Sequence, residues 1–221
     1  MTAPPASGRT APPARLLTGA AGQEVHREHL PGVGDVSATV LDPDVDVAVV
    51  HPWVTRPGAR FWGLGDLDVH ELAAVYRHVD SLPSHHAFLL RWQERPVALL
   101  QTYAPEHDPV GERYDVATGD VGVHFFLAER GPGAAARWPV VLVLLDAVVL
   151  ARPGARRVVV EPDVRNAAAL ARLARLGFTL GVRARVGHKD AQLAFGDVPH
   201  LRRVAAQARS RLTDANPRAG E

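Results

Sequence analysis

The chain has 221 residues, 47% of them hydrophobic, enough for one full core, and its formal net charge of +1 gives a polyanion no electrostatic footprint. It has no cysteine, which removes disulfides, thiolate nucleophiles and thiolate metal sites and fits a reduced cytoplasmic setting. No apolar run reaches the ~18 to 20 residues that span a bilayer, and the best stretch, 140–150, is broken by Asp146.

Residues 1–30 read as a flexible leader, because 1–14 is rich in Pro, Ala, Ser and Thr without the apolar centre of a signal peptide. Within it, 24–30 is at most a short ordered piece. Alternating stretches at 36–41 and 45–50, separated by Asp42-Pro43-Asp44, predict a hairpin. The aromatic, proline-containing stretch from His51-Pro52-Trp53 to Phe61-Trp62-Gly63 is irregular and leads into a helix at 67–79. Strands at 86–92 and 96–103 share the turn Gln93-Glu94-Arg95, and a polar loop, 104–119, precedes a strand at 121–127. Arg130-Gly131-Pro132-Gly133 then leads to a helix predicted from about Pro139, a residue suited to a first helical turn, to Leu150. A strand at 157–160 is followed by an Ala/Leu/Arg helix at 165–176, closed by Gly177 in the left-handed position. Strands at 178–186 and 189–195 complete the set. This order predicts an α/β (α+β) domain over 31–197, with a mixed, mostly antiparallel sheet and helices on both faces, then a basic helical or disordered tail at 198–221.

Alternation places Val121, Val123, Phe125 and Leu127 on one face of their strand, and Gly122, His124 and Phe126 on the other. A histidine in an apolar strand beside a glycine is either a satisfied core residue or a base that needs a partner. Asp163, where the next core strand ends, is the candidate partner, and the same place suits a helix cap or turn former. The small residues of 130–137 could let backbone N–H groups approach a phosphate at a helix N-terminus, with Arg137 adding charge. His85, His86, His107 and Asp108 have no metal-ligand spacing, so no metal is expected. Nucleophile-elbow, Walker and dinucleotide motifs are absent from the sequence.

The tract Glu161-Pro162-Asp163-Val164-Arg165-Asn166, running into an alanine-rich helix and Gly177-Phe178, resembles the end of the cofactor half in the acyl-CoA N-acyltransferase (GNAT) superfamily. Three further pieces stand in matching order: His51-Pro52-Trp53 with Phe61-Trp62, Asp120-Val121-Gly122-Val123-His124, and Lys189-Asp190-Ala191-Gln192-Leu193. Together they make residues 50–196 similar to the branch that acylates hydroxylamines in siderophore assembly. The resemblance implies a GNAT fold and direct transfer of acetyl or another acyl group from CoA to N-hydroxylysine, N-hydroxyornithine or N-hydroxycadaverine, giving a hydroxamate. His124 would be the general base and Asp163 would orient it or grip the substrate; no acyl-enzyme is needed, and a hydroxylated amine is already neutral at cytoplasmic pH.

By the same resemblance the acyl-CoA lies against Phe126, Leu127, Arg130, Gly131, Gly133, Ala135, Arg137 and Asn166. Arg130, Gly133 and Ala135 match the family pattern Arg/Gln-x-x-Gly-x-Gly/Ala. The acceptor lies among His51, Trp53, Trp62, Gln101, Tyr103 and Tyr114. Gln101 stands where the family often has an acid, and Trp53-Val54-Thr55-Arg56-Pro57 replaces Trp-x-Asn-x-Pro, so the acceptor stays open. The implied partners are acyl-CoA and a small hydroxylamine or amine, with no metal, nucleic acid or membrane; a homodimer is left open. Two alternatives stand. One is an aminoglycoside or protein-amine acetyltransferase, which would want an acidic cleft, for which the 106–115 loop has the acids. The other is a non-catalytic acyl-CoA-binding module.

Overall fold

Eight strands lie in one sheet in the order β1-β2-β3-β4-β5-β6-β8-β7, in a computed structural model that describes residues 19–128 and 134–214. They are β1 (Glu24–Leu30), β2 (Gly34–Val40), β3 (His85–Trp92), β4 (Arg95–Tyr103), β5 (Asp120–Leu127), β6 (Arg157–Val160), β7 (Thr179–Val186) and β8 (Lys189–Asp197). Neighbours pair antiparallel except β5 and β6, which are parallel. Period-two alternation sends Phe88, Leu90, Ala98, Leu100, Val121 and Val123 to one face, where they form a core with α3 (Ala134–Leu145), α4 (Ala167–Arg175) and α5 (Val198–Asp214). Ala87, Leu89 and Leu99 face the other way, onto α1 (Val47–Val54) and α2 (Val69–Ser81). The mixed, mostly antiparallel sheet with helices on both faces is therefore the architecture observed.

Local chemistry explains most of the elements. The β3–β4 hairpin turns on Gln93 and Glu94, both in the left-handed region at φ 48° and 62°, the twist that a two-residue hairpin loop requires. Asp68 opens α2 with a capping box, accepting from the backbone N–H groups of His70 and Glu71 while the Glu71 side chain accepts from the Asp68 N–H. Gly177 ends α4 with φ 77°, as its place in the sequence predicts.

Three expectations are corrected, and the tail, expected to be helical or disordered, is helical over Val198–Asp214. The stretch 45–50 is not a strand: Val47, Val50 and Val54 are buried at i, i+3 and i+7 along α1, and Asp42 and Asp46 exchange hydrogen bonds that start the helix. β2 takes its hairpin partner instead from Glu24–Leu30, so the ordered sheet begins inside the expected leader. The helix predicted from Pro139 begins at Ala134, leaving Pro139 inside it, and continues beyond Leu145 as a π-helical turn, Asp146–Leu150. The tail is α5, whose Leu201, Ala205, Ala208 and Leu212 are buried at helical spacing in the α3-side core. Residues 1–18, 129–133 and 215–221 lie outside the described part. Among the described residues no helix is long and apolar enough to cross a membrane.

Candidate active site

β5 and β6 pair only from Asp120↔Arg157 to Gly122↔Val159, and then separate. The closed end is clamped. Arg157 grips the Asp120 carboxylate with two bonds of 2.7 Å, and the Tyr114 hydroxyl (3.0 Å) and Ala117 N–H (2.9 Å) complete its shell. Burial pushes the Asp120 carboxyl up, but Arg157 and these donors outweigh it and hold it below its ordinary value. Beyond Gly122, β5 runs on to Leu127 beside β4 while the chain after β6 stays with β8, the Gln192 N–H donating to Pro162 O and the Val164 N–H to Asp190 O, both at 2.9 Å. The Ala128 N–H reaches Val97 O on the β4 side, so the alternation of an antiparallel ladder turns the backbone N–H and C=O of Phe125 into the fork. An extended ligand carrying amides has a strand edge to read there.

The fork opens into a cavity of about 1140 Å³ whose wall includes His124, Glu161, Lys189, Trp62, Gln101 and Asn166. His124 Nε2 is held by Glu161 Oε1, which also accepts from Lys189 Nζ at 3.1 Å, while Glu161 Oε2 accepts from the Tyr103 hydroxyl at 2.6 Å. Glu161 is 3% exposed. Burial alone would raise its carboxyl, but the His124 ring first, then Lys189 and Tyr103, hold it at about 2. So acidic a carboxylate only accepts, so the His124 ring is the donor to it through Nε2. Burial, then the Glu161 charge, raises the Tyr103 phenol well above its ordinary value, so it remains a donor.

Gly122 makes this cluster possible. A Cβ at that position would lie 2.0 Å from Tyr103 Cε2, so the space beside His124 is taken by the Tyr103 ring, whose centroid is 5.1 Å from that of His124. Tyr103 therefore stands behind the histidine and does not line the cavity. Its far face stacks on His85 at 5.8 Å.

The other expected residues divide clearly. Asp163 lines the cavity, but its carboxylate is bound by the Arg165 side chain (2.9 and 2.7 Å) and backbone N–H (2.8 Å), chiefly the side chain holding it at about 2; it does not meet His124, whose partner is Glu161. Trp62 sits edge-on to His124 and Phe126, at 6.1 and 5.4 Å, and Gln101, directly across the ladder from His124, has Nε2 3.4 Å from the Tyr76 hydroxyl. Phe126, Leu127, Arg137 and Asn166 line the cavity, and Asn166 also caps α4 through the Ala169 N–H (3.1 Å). His51 bonds Leu67 O at 2.9 Å and Trp53 packs on the α2-side core, and neither lines the cavity. Tyr114 belongs to the closed end of the fork and to a separate groove of about 690 Å³ with Glu106, Asp108, Glu112 and Asp115, which shares no lining residue with the cavity. Arg130, Gly131 and Gly133 lie outside the described residues, as does the side chain of Ala135.

Glu161 and Lys189 were visible in the motifs but carried no assigned role. An acid closing the apolar run Val158-Val159-Val160 is a signal that a buried charge with partners sits there. Arg56, Arg60 and Arg172, given no role by the sequence motifs, also line the cavity. Arg56 donates to Leu127 O (2.9 Å) over the Phe126 ring, and half-buried Arg172 lies over Trp138 and Phe125, 4.9 and 5.9 Å from their centroids. Among the described residues no group of three or more His, Asp or Glu could hold a metal ion.

Residues 42–185 match the family model described as an acetyltransferase (GNAT) domain. The chain is 27% identical over 186 residues to N(6)-hydroxylysine O-acetyltransferase of Escherichia coli, a match covering 80% of this chain and 57% of that protein. Among solved structures, an uncharacterized protein from Bacillus halodurans superposes with a TM-score of 0.75 at 15% identity, covering 87% of this chain and all of the other. An aminoglycoside acetyltransferase, AAC(6')-Ib, in complex with coenzyme A and kanamycin superposes with a TM-score of 0.63 at 16% identity, covering 76% and 98%. At these identities the structural matches speak for the fold.

Proposed function

The chain belongs to the GNAT acetyltransferase family and is an acyltransferase, and within that chemistry we propose that it moves an acyl group from an acyl-CoA to the nitrogen of a small hydroxylated amine, such as N-hydroxylysine, N-hydroxyornithine or N-hydroxycadaverine, forming a hydroxamate of the siderophore type. The observation that carries this reading is the charge state of the cleft. Its two carboxylates are both already engaged, Glu161 by His124 and Lys189 and Asp163 by Arg165, while Arg56, Arg60, Arg137 and Arg172 also line it. Such a wall does not favour a polycationic acceptor, but accepts a nucleophile that is neutral before it reacts. The acids of the 106–115 loop line the other groove. The 27% relative, named for hydroxylysine, supports the same direction; this chain spans 57% of its length.

In this reading the thioester lies in the β5–β6 fork, with the backbone of Phe125 receiving the amide-bearing arm and Phe126, Leu127, Arg137 and Asn166 around it. Arg130, Gly131, Gly133 and Ala135 remain the proposed phosphate loop. The hydroxylamine nitrogen attacks the thioester carbonyl, His124 takes its proton, the C–S bond breaks, and the leaving CoA thiolate receives that proton back to depart as the thiol; Glu161 holds the ring and stabilises it when protonated. Trp62 and Gln101 border the acceptor, with Asp163, its charge taken by Arg165, on the same wall. No covalent enzyme intermediate is required.

The test is thiol release from acetyl-CoA and succinyl-CoA with the three hydroxylamines, their parent amines and kanamycin, beside His124→Gln. Turnover with the hydroxylamines only, with an iron-binding product and a fall in kcat/KM of roughly 10²- to 10⁴-fold in the variant, is expected. A product acylated on oxygen refutes the nitrogen assignment. Turnover of kanamycin or plain amines alone transfers the site to the aminoglycoside or protein-amine class, and binding of acyl-CoA with no turnover leaves a binding module.

A further inference from the structure

A histidine pressed against a buried carboxylate is normally held protonated, and a protonated ring cannot act as a base. Here a second cation shares the same oxygen. Lys189, at the first position of β8, donates to Glu161 Oε1 at 3.1 Å, the atom that His124 Nε2 also contacts. Its side chain is 21% exposed, so the ammonium acts through little intervening water.

The other groups around the ring do not replace it. Tyr103, from β4, is a neutral donor on the opposite oxygen of Glu161. Asp163, from the turn after β6, is neutralised by Arg165. From the turn before α2, Trp62 presents an uncharged edge, with Arg60 two residues away on the cavity wall. Arg56 lies over Phe126 and bonds Leu127 O. His85, from β3, stacks behind Tyr103, 3.6 Å from Asp108.

We propose that Lys189 is a positioning and tuning residue: by dividing the Glu161 charge with His124, it weakens the carboxylate's hold on an imidazolium while Glu161 still fixes the ring's orientation. The lysine touches neither substrate nor thioester in this role. Its link to catalysis rests on His124 being the base, whereas the electrostatic claim does not.

The experiment follows the His124 ring by NMR titration in the full chain, its signal assigned against His124→Gln, for wild type, Lys189→Gln, Lys189→Met, Lys189→Arg and Glu161→Gln. Removing the positive charge favours imidazolium, so the ring midpoint rises by roughly one pH unit in Lys189→Gln and Lys189→Met. It returns toward wild type in Lys189→Arg and falls in Glu161→Gln. Lys189→Gln keeps a donor for Glu161 and separates charge from hydrogen bonding. The acid limb of kcat/KM, measured alongside, moves up with the ring while the high-pH plateau is kept within about threefold, a pattern that a purely structural role, lowering all pH values alike, does not produce. A midpoint that stays or falls in both neutral variants overturns the proposal. A midpoint that rises while the acid limb stays leaves Lys189 as the tuner of the ring and removes His124 as the base.

Discussion

Replacing Gly122 by alanine tests the construction of the site with one methyl group. The added Cβ would meet three atoms of the Tyr103 ring at 2.0, 2.2 and 2.4 Å, all far inside van der Waals contact. The ring has no room to retreat, because Tyr103 is 2% exposed and its other face stacks on His85. Overpacking of this kind costs about 1–3 kcal/mol. If the ring swings away to relieve it, the hydroxyl leaves Glu161 Oε2, and losing a hydrogen bond to a charged group costs about 1.5–3 kcal/mol in its place. A loss of about 2–3 kcal/mol by either route corresponds to a melting temperature lower by roughly 5–10 °C for a domain of this size. Urea denaturation measures the first quantity and calorimetry the second. Tyr103→Leu in the Gly122→Ala background supplies the control: it opens space for the methyl, so the double variant should be less unstable than the sum of the two single changes. Strict additivity, or a Gly122→Ala protein within 0.5 kcal/mol of wild type, would refute the account of Gly122 as the seat of the Tyr103 ring.

Two further outcomes follow from the charges. Asp120→Ala removes the buried carboxylate that clamps the closed end of the fork; with Arg157 one-third exposed and able to reach water, the loss in urea denaturation should sit near the low end of the range for breaking such a pair, about 3 kcal/mol, and a loss under about 1 kcal/mol contradicts the clamp. In acid, Glu161 contributes through a folded-state value of about 2 against an ordinary 4.5. A depressed carboxyl stabilises the fold above the unfolded value, so its contribution, up to about 3 kcal/mol, is present above pH ~5 and disappears as the pH falls from about 4.5 to about 2. Thermal melts across that window should fall steeply in wild type and more gently in Glu161→Gln; parallel curves would assign the acid transition to other carboxylates.

Much of the protein was legible as sequence. Alternation along 121–127 placed His124 and Phe126 on one face and Val121, Val123 and Phe125 on the other, and the structure keeps that division. Turn and cap chemistry located the β3–β4 hairpin, β6 and the end of α4 to within a residue or two. These features depend on neighbours a few positions away, and periodicity with local hydrogen bonding is what a sequence displays directly. The valine stretch 45–50 shows where that fails: its residues suit a strand as well as a helix, and only burial of Val47, Val50 and Val54 against the α2-side core chose the helix. The site depends on longer distances. Glu161 reaches His124 across 37 positions, Tyr103 across 58 and Lys189 across 28, brought together because β6 lies between β5 and β8. Local pattern offered Asp163 as the partner of His124, since Asp163 and Glu161 close the same strand; side-chain direction decided between them, sending Glu161 to the histidine and Asp163 to Arg165. That choice belongs to the tertiary structure because a residue's partner is set by which strands become neighbours and which way each side chain points from them, and neither is written in the spacing of residues along the chain.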